Sequence, residues 1–507
     1  MFKFHNLLAG AFILFLFVQS NAQQPIALNE TPDGLYKEMI SNEHVRNDKG
    51  EGFCWHAKYS MNQYLQYYKV TNNTEWLDAA VKYYDFLIAK MDTDPEGYKG
   101  WIGPYMYDEK YWTDSHVGDA ILMNGMLDFS LLVMENKELQ VKYSDRARAY
   151  VELAKRDLIE KYDHRGTWKE DGNVGAYVAF DKYMEPGNTK EWKQESEVTR
   201  SGLTHPFNKQ NDMGLVCMQL YRLTNQKFYR DRAEKIFLRM KRQLQLSDDH
   251  YEWNYWEPFG TWDIDFAKNT PQHWVGINPN PGYQSREVEQ MVEAYHNGIV
   301  FDETDIRRLI NTQLEVMWNK DKVNPAYTNS NVAHELGQRQ EEKKATGTLW
   351  TSLLDFDPII RLLYETELKS NPANTLENLF YYRTIANKPV SFERKYIKEM
   401  KIRPSAPVVS FSDCKEIRMA AVVPGVFTKC DRVALVNYSW NPGELEIALY
   451  SADGKDKMLE IFKGMKPTDN VIEWDGSDPQ KKINLKGDYR VRWTLGKEYR
   501  EFPVTIK

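Results

Sequence analysis

A helical hairpin that recurs along the chain is the feature that most restricts its fold. A polar turn followed by an amphipathic helix repeats in register, as Thr71, Asn72, Trp76, Asp78 and Ala80 and again as Thr224, Asn225, Tyr229, Asp231 and Ala233. Asp145 and Ala147 supply a weaker middle copy. Each copy joins a first helix with apolar periodicity to a second helix with a charged outer face. Because one such hairpin cannot bury its own apolar face, the hairpins must stack side by side.

Five hairpins can be placed by their periodicity, at 53–70 with 75–91, 115–135 with 144–162, 210–223 with 228–246, 285–298 with 303–318, and 349–368 with 375–385. The segment 34–42 is a candidate for part of a sixth pair. The pattern therefore predicts a mainly α chain, with an α/α toroid of five to six hairpins over residues 23–395.

After residue 395, the helical periodicity of the sequence gives way to short runs of alternating β-branched and aromatic residues. These runs lie at 420–423, 432–436, 445–450, 471–474, 489–495 and 502–506. Asp-Gly and Lys-Gly turn signals separate several of them. Residues 396–507 are therefore predicted to form a small β-sandwich. The segments 474–476 and 487–491 resemble the immunoglobulin-like domain of flagellar hook-capping proteins and of many secreted bacterial enzymes.

The first 22 residues have the pattern of a secretory signal peptide. Lys3 precedes an apolar run at 7–18, and small residues end at Ala22. The run is shorter than the roughly 20 residues of a spanning helix. We expect an exported protein, periplasmic or secreted, without a membrane anchor.

Charge and cysteine usage narrow the possible partners. The formal net charge is −7, and the basic residues are dispersed rather than gathered in a stripe, so nucleic acid is not an expected partner. Cys414 and Cys430 are either a disulfide or two buried thiols, and Cys54 and Cys217 are expected to be buried thiols. No zinc-type spacing occurs, and the sequence predicts neither a metal nor a cofactor.

Candidate site residues follow from the ring itself. First helices of antiparallel hairpins run in one direction, so their starts meet at one rim. Polar and aromatic residues at these starts are Trp55, His56, Asp114, His116, Asp119, His205, Asn208, Asn211, Asp212, Tyr283, Arg286 and Glu287. Asp114 and Asn208 could instead serve as N-caps of their helices rather than as residues that bind a ligand.

The segment 251–274 is rich in aromatic residues and is predicted to be a lid over the rim. It carries Trp256, Glu257, His273 and Trp274. Aromatic faces suit the C–H faces of pyranose rings, whose hydroxyls need nearby polar groups. A loop packed on its own aromatic residues is the alternative.

Taken together, the hairpin ring, aromatic loops, signal peptide and β-rich tail look like secreted carbohydrate-active enzymes with an α/α toroid. That group includes uronate-specific polysaccharide lyases and unsaturated glucuronyl hydrolases. The segment 112–116 is similar to the Asp-bearing helix start of those hydrolases, but it departs after Asp114. The resemblance implies an oligo- or polysaccharide substrate.

Two reactions compete at such a rim. β-Elimination from a uronic acid, by chain cleavage or dehydration, would use His116 and His205 as bases, Tyr283 as proton donor, and Arg286 with Asn211 to bind the carboxylate. This lyase reaction is the prediction.

Hydrolysis by two carboxyl groups is the first alternative, with candidates Asp114, Asp119, Asp212, Glu257, Asp263 and Glu287. A non-catalytic glycan-binding protein is the second alternative.

Overall fold

The computed structural model describes residues 30–194, 198–265, 270–276, 280–331, 346–370, 375–397, 419–423, 425–428, 433–438, 443–465, 471–478, 480 and 483–507. The predicted signal peptide and both Cys414 and Cys430 lie outside these ranges.

Helices predominate among the described residues between 32 and 384. Their bounds are α1 Pro32–Ser41, α2 Glu43–Asn47, α3 Gly50–Thr71, α4 Glu75–Ile88, α5 His116–Met134, α6 Lys137–Ala154, α7 Lys161–His164, α8 Phe207–Thr224, α9 Lys227–Gln243, α10 Pro281–His296, α11 Glu303–Asn311, α12 Pro358–Ser370 and α13 Thr375–Thr384. The π-helical segment Lys155–Glu160 joins α6 to α7, and a second, Thr312–Met317, extends α11.

Four regular hairpins build an arc of stacked helices: α3 with α4, α5 with α6, α8 with α9, and α10 with α11. Their first helices pack in the order α3, α5, α8, α10, and α13 packs against α3 from the other side. The first helices are therefore the inner layer of an α/α ring. The prediction of a mainly α ring is confirmed at this level.

The repeated turn residues have a structural role. Asn72 and Asn225 end α3 and α8 in the left-handed region, with φ of 55° and 57°, which asparagine tolerates better than most residues. Each preceding threonine hydroxyl donates to a carbonyl one turn back. Asp78 accepts a hydrogen bond from Tyr143 in the next hairpin at 2.8 Å. The repeat thus shapes the scaffold.

The fifth predicted hairpin differs from the structure. A helix was expected over 349–368, but the structure has a 3-10 turn at Thr351–Leu353 and begins α12 only at Pro358. The proline ring disfavours helical backbone at Asp357, so a continuous helix cannot pass through this point.

Helix α5 is long and apolar enough to cross a membrane, with a mean hydropathy of 1.5, yet 83% of that window is buried inside the protein. Its neighbours α3, α6 and α8 enclose it. It is therefore the central core helix of the ring.

Short strands lie in the loops between hairpins: β1 Asp92–Thr93, β2 Lys99–Gly100, β3 Gly103–Tyr105, β4 Asp108–Thr113, β5 Trp168–Asp171, β6 Val174–Tyr177, β7 Lys182–Tyr183, β8 Lys193–Gln194, β9 Gln245–Ser247, β10 His250–Glu252, β11 Ile264–Asp265 and β12 Thr270–Pro271. They pair as antiparallel ribbons. These ribbons precede the inner helices and so lie at the predicted rim.

The C-terminal strands are β13 Met419–Val423, β14 Val426–Phe427, β15 Val433–Tyr438, β16 Glu444–Ser451, β17 Lys457–Met465, β18 Val471–Trp474, β19 Gly487–Leu495 and β20 Glu498–Ile506. They form a three-stranded sheet, β13-β15-β18, and a five-stranded sheet, β14-β20-β19-β16-β17. Val422 and Leu435 of the first sheet share a hydrophobic core with Ile447 and Val491 of the second. Six of these strands overlap the predicted ranges, and β14 and β17 were not predicted.

Among the described residues, the ring and the C-terminal sheets share a small apolar contact. Ile264 of β11 packs with Ala421 and Val436, and Phe502 borders the cluster. The aromatic loop between α9 and α10 is therefore braced by the C-terminal sheets.

Candidate active site at the rim of the helical ring

A buried ion pair spans the rim between the starts of α3 and α8. The Nζ atom of Lys209 lies 2.6 Å from Oε1 of Glu51, and both side chains are buried. Burial alone would raise the pKa of Glu51, but the Lys209 ammonium outweighs it and holds that pKa below its usual value. Trp55 donates an indole hydrogen bond to the same oxygen at 3.2 Å. Glu51 is therefore an ionised carboxylate at neutral pH.

Two buried imidazoles meet beside this pair. The rings of His116, at the start of α5, and His205, just before α8, lie edge to face with centroids 4.4 Å apart. Burial lowers both pKa values well below the usual range, helped at His116 by His205 and at His205 by Lys209. Nε2 of His116 has no hydrogen-bond partner among the described residues. Both imidazoles are therefore neutral at neutral pH.

A protonated carboxyl group lies near this ion pair, since Tyr255 is influenced electrostatically by both Lys209 and Glu287. Glu287, in the second turn of α10, is fully buried and accepts a hydrogen bond from the Trp253 indole at 2.7 Å. Burial raises the pKa of Glu287 to about 8. Its Oε1 atom has no hydrogen-bond partner among the described residues. The group therefore carries a proton at neutral pH and has an oxygen available for another partner.

Half-buried aromatic side chains surround these buried polar groups. The rings of Trp55 and Tyr283 lie 5.9 Å apart, and those of Tyr255 and Trp274 lie 5.6 Å apart. Tyr107 packs against the Lys209 ammonium, which lies 5.2 Å from its ring centroid. Partly exposed aromatic rings above buried polar groups are the arrangement that a sugar-binding cleft requires.

The segment predicted to be a lid forms hydrogen bonds that hold Thr204, next to His205, in place. Trp256 donates to the Thr204 carbonyl at 2.7 Å, and Trp262 donates to the Thr204 hydroxyl at 2.9 Å. Asp263 accepts from the Thr204 backbone N–H and hydroxyl at 2.9 and 2.7 Å. Thr204 directly precedes His205, so the loop fixes the position of that imidazole.

The residues predicted within this loop are mostly buried. Trp256 is fully buried and stacks on His273 at 5.1 Å, and Glu257 accepts a hydrogen bond from Asn254 at 2.8 Å. Trp274 is half-buried. Trp274 thus lines the cleft, while Trp256 and Glu257 lie beneath its surface.

Arg286 does not have the free guanidinium that carboxylate binding needs. It lies 2.5 Å from Asp212 and 2.9 Å from Glu289, so both of these contacts are with carboxylates of the protein. Asn208 and Asn211 lie beside Asp212 on α8, buried, with no side-chain hydrogen bonds among the described residues. These two amides therefore remain available to a ligand.

Asp114 and Asp119 lie in a separate buried network. Lys161 lies 2.8 Å from Asp114 and 2.5 Å from Asp119, and Arg165 lies 2.6 Å from Asp114. Burial raises the pKa of Asp119 to about 6, while Arg165 and Lys161 outweigh burial at Asp114 and lower its pKa. The structure therefore gives these carboxylates cationic partners of their own, and Tyr162, which donates to Asp119 at 3.1 Å, links this network to His116, whose ring centroid lies 5.4 Å from that of Tyr162.

His56 also lies outside the cluster. It is exposed, and its ring stacks on that of His44 with centroids 4.2 Å apart. Sequence reasoning missed Glu51, Tyr107 and Lys209, and it included Tyr255 only as part of the aromatic segment 251–274. Glu51 and Lys209 are 158 positions apart, and no local pattern distinguishes a buried ion pair from two surface charges.

A cavity of about 640 Å³ lies further along the inner helices. Lys58, Asp128, Glu289 and Glu293 are among its lining residues, and burial raises the pKa of Glu293 to about 7. Arg286 lines the cavity and pairs with Asp212. The centre of the ring is therefore hollow beyond the rim cluster, by which we mean Glu51, His116, His205, Lys209 and Glu287.

No family model matches the sequence, and no curated protein matches it. Solved structures with a similar arrangement include an α-mannanase of glycoside hydrolase family 76 from Bacteroides thetaiotaomicron, at 14% identity over 74% of this chain and 91% of that chain, with a TM-score of 0.35. A D-mannose isomerase matches at 17% identity over 69% and 84%, with a TM-score of 0.38. A cellobiose 2-epimerase from Spirochaeta thermophila matches at 12% over 64% and 85%, with a TM-score of 0.28. At these values, the similarities assign no activity to this chain.

The prediction of a lyase acting on uronate glycans is wrong. Arg286, the residue assigned to the uronate carboxylate, is already paired with the carboxylates of Asp212 and Glu289. The predicted binding site for a substrate carboxylate is therefore occupied by the protein's own acidic groups.

Proposed function

We propose that the protein is a glycoside hydrolase that cleaves a neutral oligo- or polysaccharide at the rim cluster. The observation that carries the proposal is the pair of glutamates whose pKa values are displaced in opposite directions. Glu287 has a pKa of about 8, whereas the pKa of Glu51 lies below its usual value. Two carboxyl groups in opposite protonation states are what acid–base hydrolysis of a glycoside needs.

In this mechanism, Glu287 donates its proton to the glycosidic oxygen as the bond to the leaving sugar breaks. Glu51 acts on the anomeric carbon, either directly as a nucleophile or by taking a proton from the attacking water. Lys209 keeps Glu51 ionised through its 2.6 Å contact. Trp55, Tyr283 and Trp274 hold the sugar rings against their aromatic faces.

A neutral substrate follows from the charges at the rim. Lys209 is paired with Glu51, and Arg286 is paired with Asp212 and Glu289. An acidic sugar would have to break one of these buried pairs, which costs several kcal/mol. Hydroxyl groups instead fit the unpartnered amides of Asn208 and Asn211.

Isomerisation or epimerisation of a sugar is the second candidate, supported by the contact between His116 and His205. Two neutral imidazoles 4.4 Å apart can pass a proton between neighbouring carbons of an open-chain sugar. Lys209 would then polarise the carbonyl oxygen.

A single set of incubations separates these activities. Neutral oligosaccharides are incubated with the protein in D₂O, and products are followed by reducing-end assay and by proton NMR. Hydrolysis yields new reducing ends and no deuterium at C2, and Glu287→Gln abolishes it. Deuterium at C2 without bond cleavage supports the second candidate. Reducing ends released equally by wild type and Glu287→Gln would contradict the hydrolase mechanism.

The proposal includes the finer architecture and the location of the protein. We propose that residues 1–22 direct export to the periplasm or the medium, and that residues 23–395 form the catalytic toroid with six helical pairs. Residues 396–507 would form an immunoglobulin-like β-sandwich that supports it.

A further inference from the structure

Three side chains with metal-binding chemistry converge where the chain enters α3. His44 lies on α2, Asp48 lies in the link that follows, and His56 lies in the second turn of α3. Nδ1 of His44 is 3.0 Å from Oδ2 of Asp48, and Nε2 of His56 is 4.0 Å from the same oxygen. The ligand atoms of all three lie within 4.8 Å of one another.

We propose that His44, Asp48 and His56 bind a divalent transition metal ion such as Zn²⁺. Two imidazole nitrogens and one carboxylate oxygen are a common set of protein ligands for such ions. Three protein ligands leave at least one position for water. The site lies outside the rim cluster and does not depend on the proposed hydrolase activity.

The distances require only small side-chain movements. Metal–ligand bonds of about 2.0 to 2.2 Å place ligand atoms about 3 to 3.5 Å apart in tetrahedral or octahedral geometry. The pair His44–Asp48 is already at that spacing, and the separations that involve His56, which are at most 4.8 Å, must shorten by up to about 1.3 Å to reach it. Both histidines are exposed, so nothing packed around them prevents this movement.

A hydrogen bond between His44 and Asp48 accounts for one of these contacts without a metal. It does not account for His56, because 4.0 Å from the Asp48 oxygen is too long for a hydrogen bond. The two imidazole planes are within 13° of parallel, with centroids 4.2 Å apart. Stacking thus holds His56 beside His44, and binding one shared ion would require an exposed ring to turn until its in-plane nitrogen lone pair points at the ion.

A bound ion would fasten α2 to α3. Gly50, two residues after Asp48, begins α3 with φ of 64°, and a β-carbon there would lie about 3.0 Å from the Gly103 backbone. The metal would therefore fix the chain at a tight approach between α3 and the β3 strand. Added Zn²⁺ should accordingly raise the unfolding temperature of the protein.

The test is zinc titration of the full chain, purified without a polyhistidine tag and treated with chelator. We expect one Zn²⁺ per chain by calorimetry, no comparable binding of Mg²⁺, and a rise in unfolding temperature. His56→Gln and Asp48→Asn should each weaken zinc binding by about tenfold or more and abolish the temperature shift. His164→Ala, at another exposed histidine, is the matched control and should bind as the wild type does.

Circular dichroism of the metal-free proteins establishes that each variant is folded. Wild-type protein without saturable zinc binding would overturn the proposal. Zinc binding of equal affinity in His56→Gln and wild type would do so as well, because the third ligand would then have no part in it.

Discussion

Replacing Glu287 with glutamine tests whether this carboxyl group is neutral in the folded protein. Glutamine has nearly the same shape, is uncharged, and keeps a carbonyl oxygen to accept the Trp253 indole hydrogen bond of 2.7 Å. The variant should therefore fold normally. The variant differs from wild type in that glutamine, unlike the buried Glu287 carboxyl group, does not titrate.

The magnitude follows from the two pKa values. Glu287 has a pKa of about 8 in the folded protein and an ordinary value of 4.5. The folded state therefore holds a proton that the unfolded chain releases, so stability is greatest below about pH 4.5 and falls until about pH 8. At about 1.4 kcal/mol per pH unit, the whole loss is about 5 kcal/mol, of which about 4 kcal/mol falls between pH 5 and pH 8.

Urea unfolding at a series of pH values measures this directly. In the variant, the free energy of unfolding does not fall with rising pH through ionisation of Glu287. The free energy of unfolding of wild type minus that of Glu287→Gln should therefore fall by about 4 kcal/mol from pH 5 to pH 8. Other titrating groups cancel in the difference. Parallel curves for the two proteins would refute the assignment of a protonated Glu287, and with it the general acid.

Three further substitutions test the buried contacts. Lys209→Met leaves Glu51 buried without its cation, so urea unfolding should show a loss of about 3 to 5 kcal/mol, and turnover should disappear; normal turnover would remove Lys209 from the mechanism. Lys161→Met should lower the free energy of unfolding by a similar amount. Lys142→Met, at an exposed ion pair, is the control and should lower it by less than about 1 kcal/mol. Equal losses in the two variants would mean that burial does not determine how much these ion pairs contribute to stability. Thr204→Val leaves polar partners unpaired and should lower stability by about 1 to 3 kcal/mol and slow turnover; a variant unchanged in both would show that the aromatic loop does not position the site.

The helical ring could be predicted because its signals are local. Apolar periodicity marks each inner helix, and the recurring Asn72 and Asn225 mark the ends of two of them, where the structure has left-handed backbone. The fifth hairpin was predicted incorrectly because its periodicity continues through Pro358. There the restriction that proline places on the preceding residue is stronger than the pattern.

The site was only partly predictable, because its decisive contacts join distant segments. His116, His205 and Glu287 were found from their place at helix starts. Their protonation depends on burial, which the sequence does not contain. Lys209 resembles a solvent-facing residue of a helix until the fold brings Glu51 to it.

The roles of the residues in the predicted lid could be predicted only in part, for a similar reason. Its aromatic composition suits both a sugar-facing loop and a packed one, and the structure divides the residues between these roles. Trp256 is buried against Thr204, while Trp274 lies half-exposed at the cleft.

The central claim is that Glu287 and Glu51 act as acid and base on a glycosidic bond. The most direct measurement compares wild type, Glu287→Gln and Glu51→Gln on a neutral glycan and on an aryl glycoside of the same sugar with an activated leaving group. Loss of the general acid should abolish cleavage of the glycan but spare that of the activated glycoside, whereas Glu51→Gln should abolish both. Wild-type rates of glycan cleavage in Glu287→Gln would contradict the account.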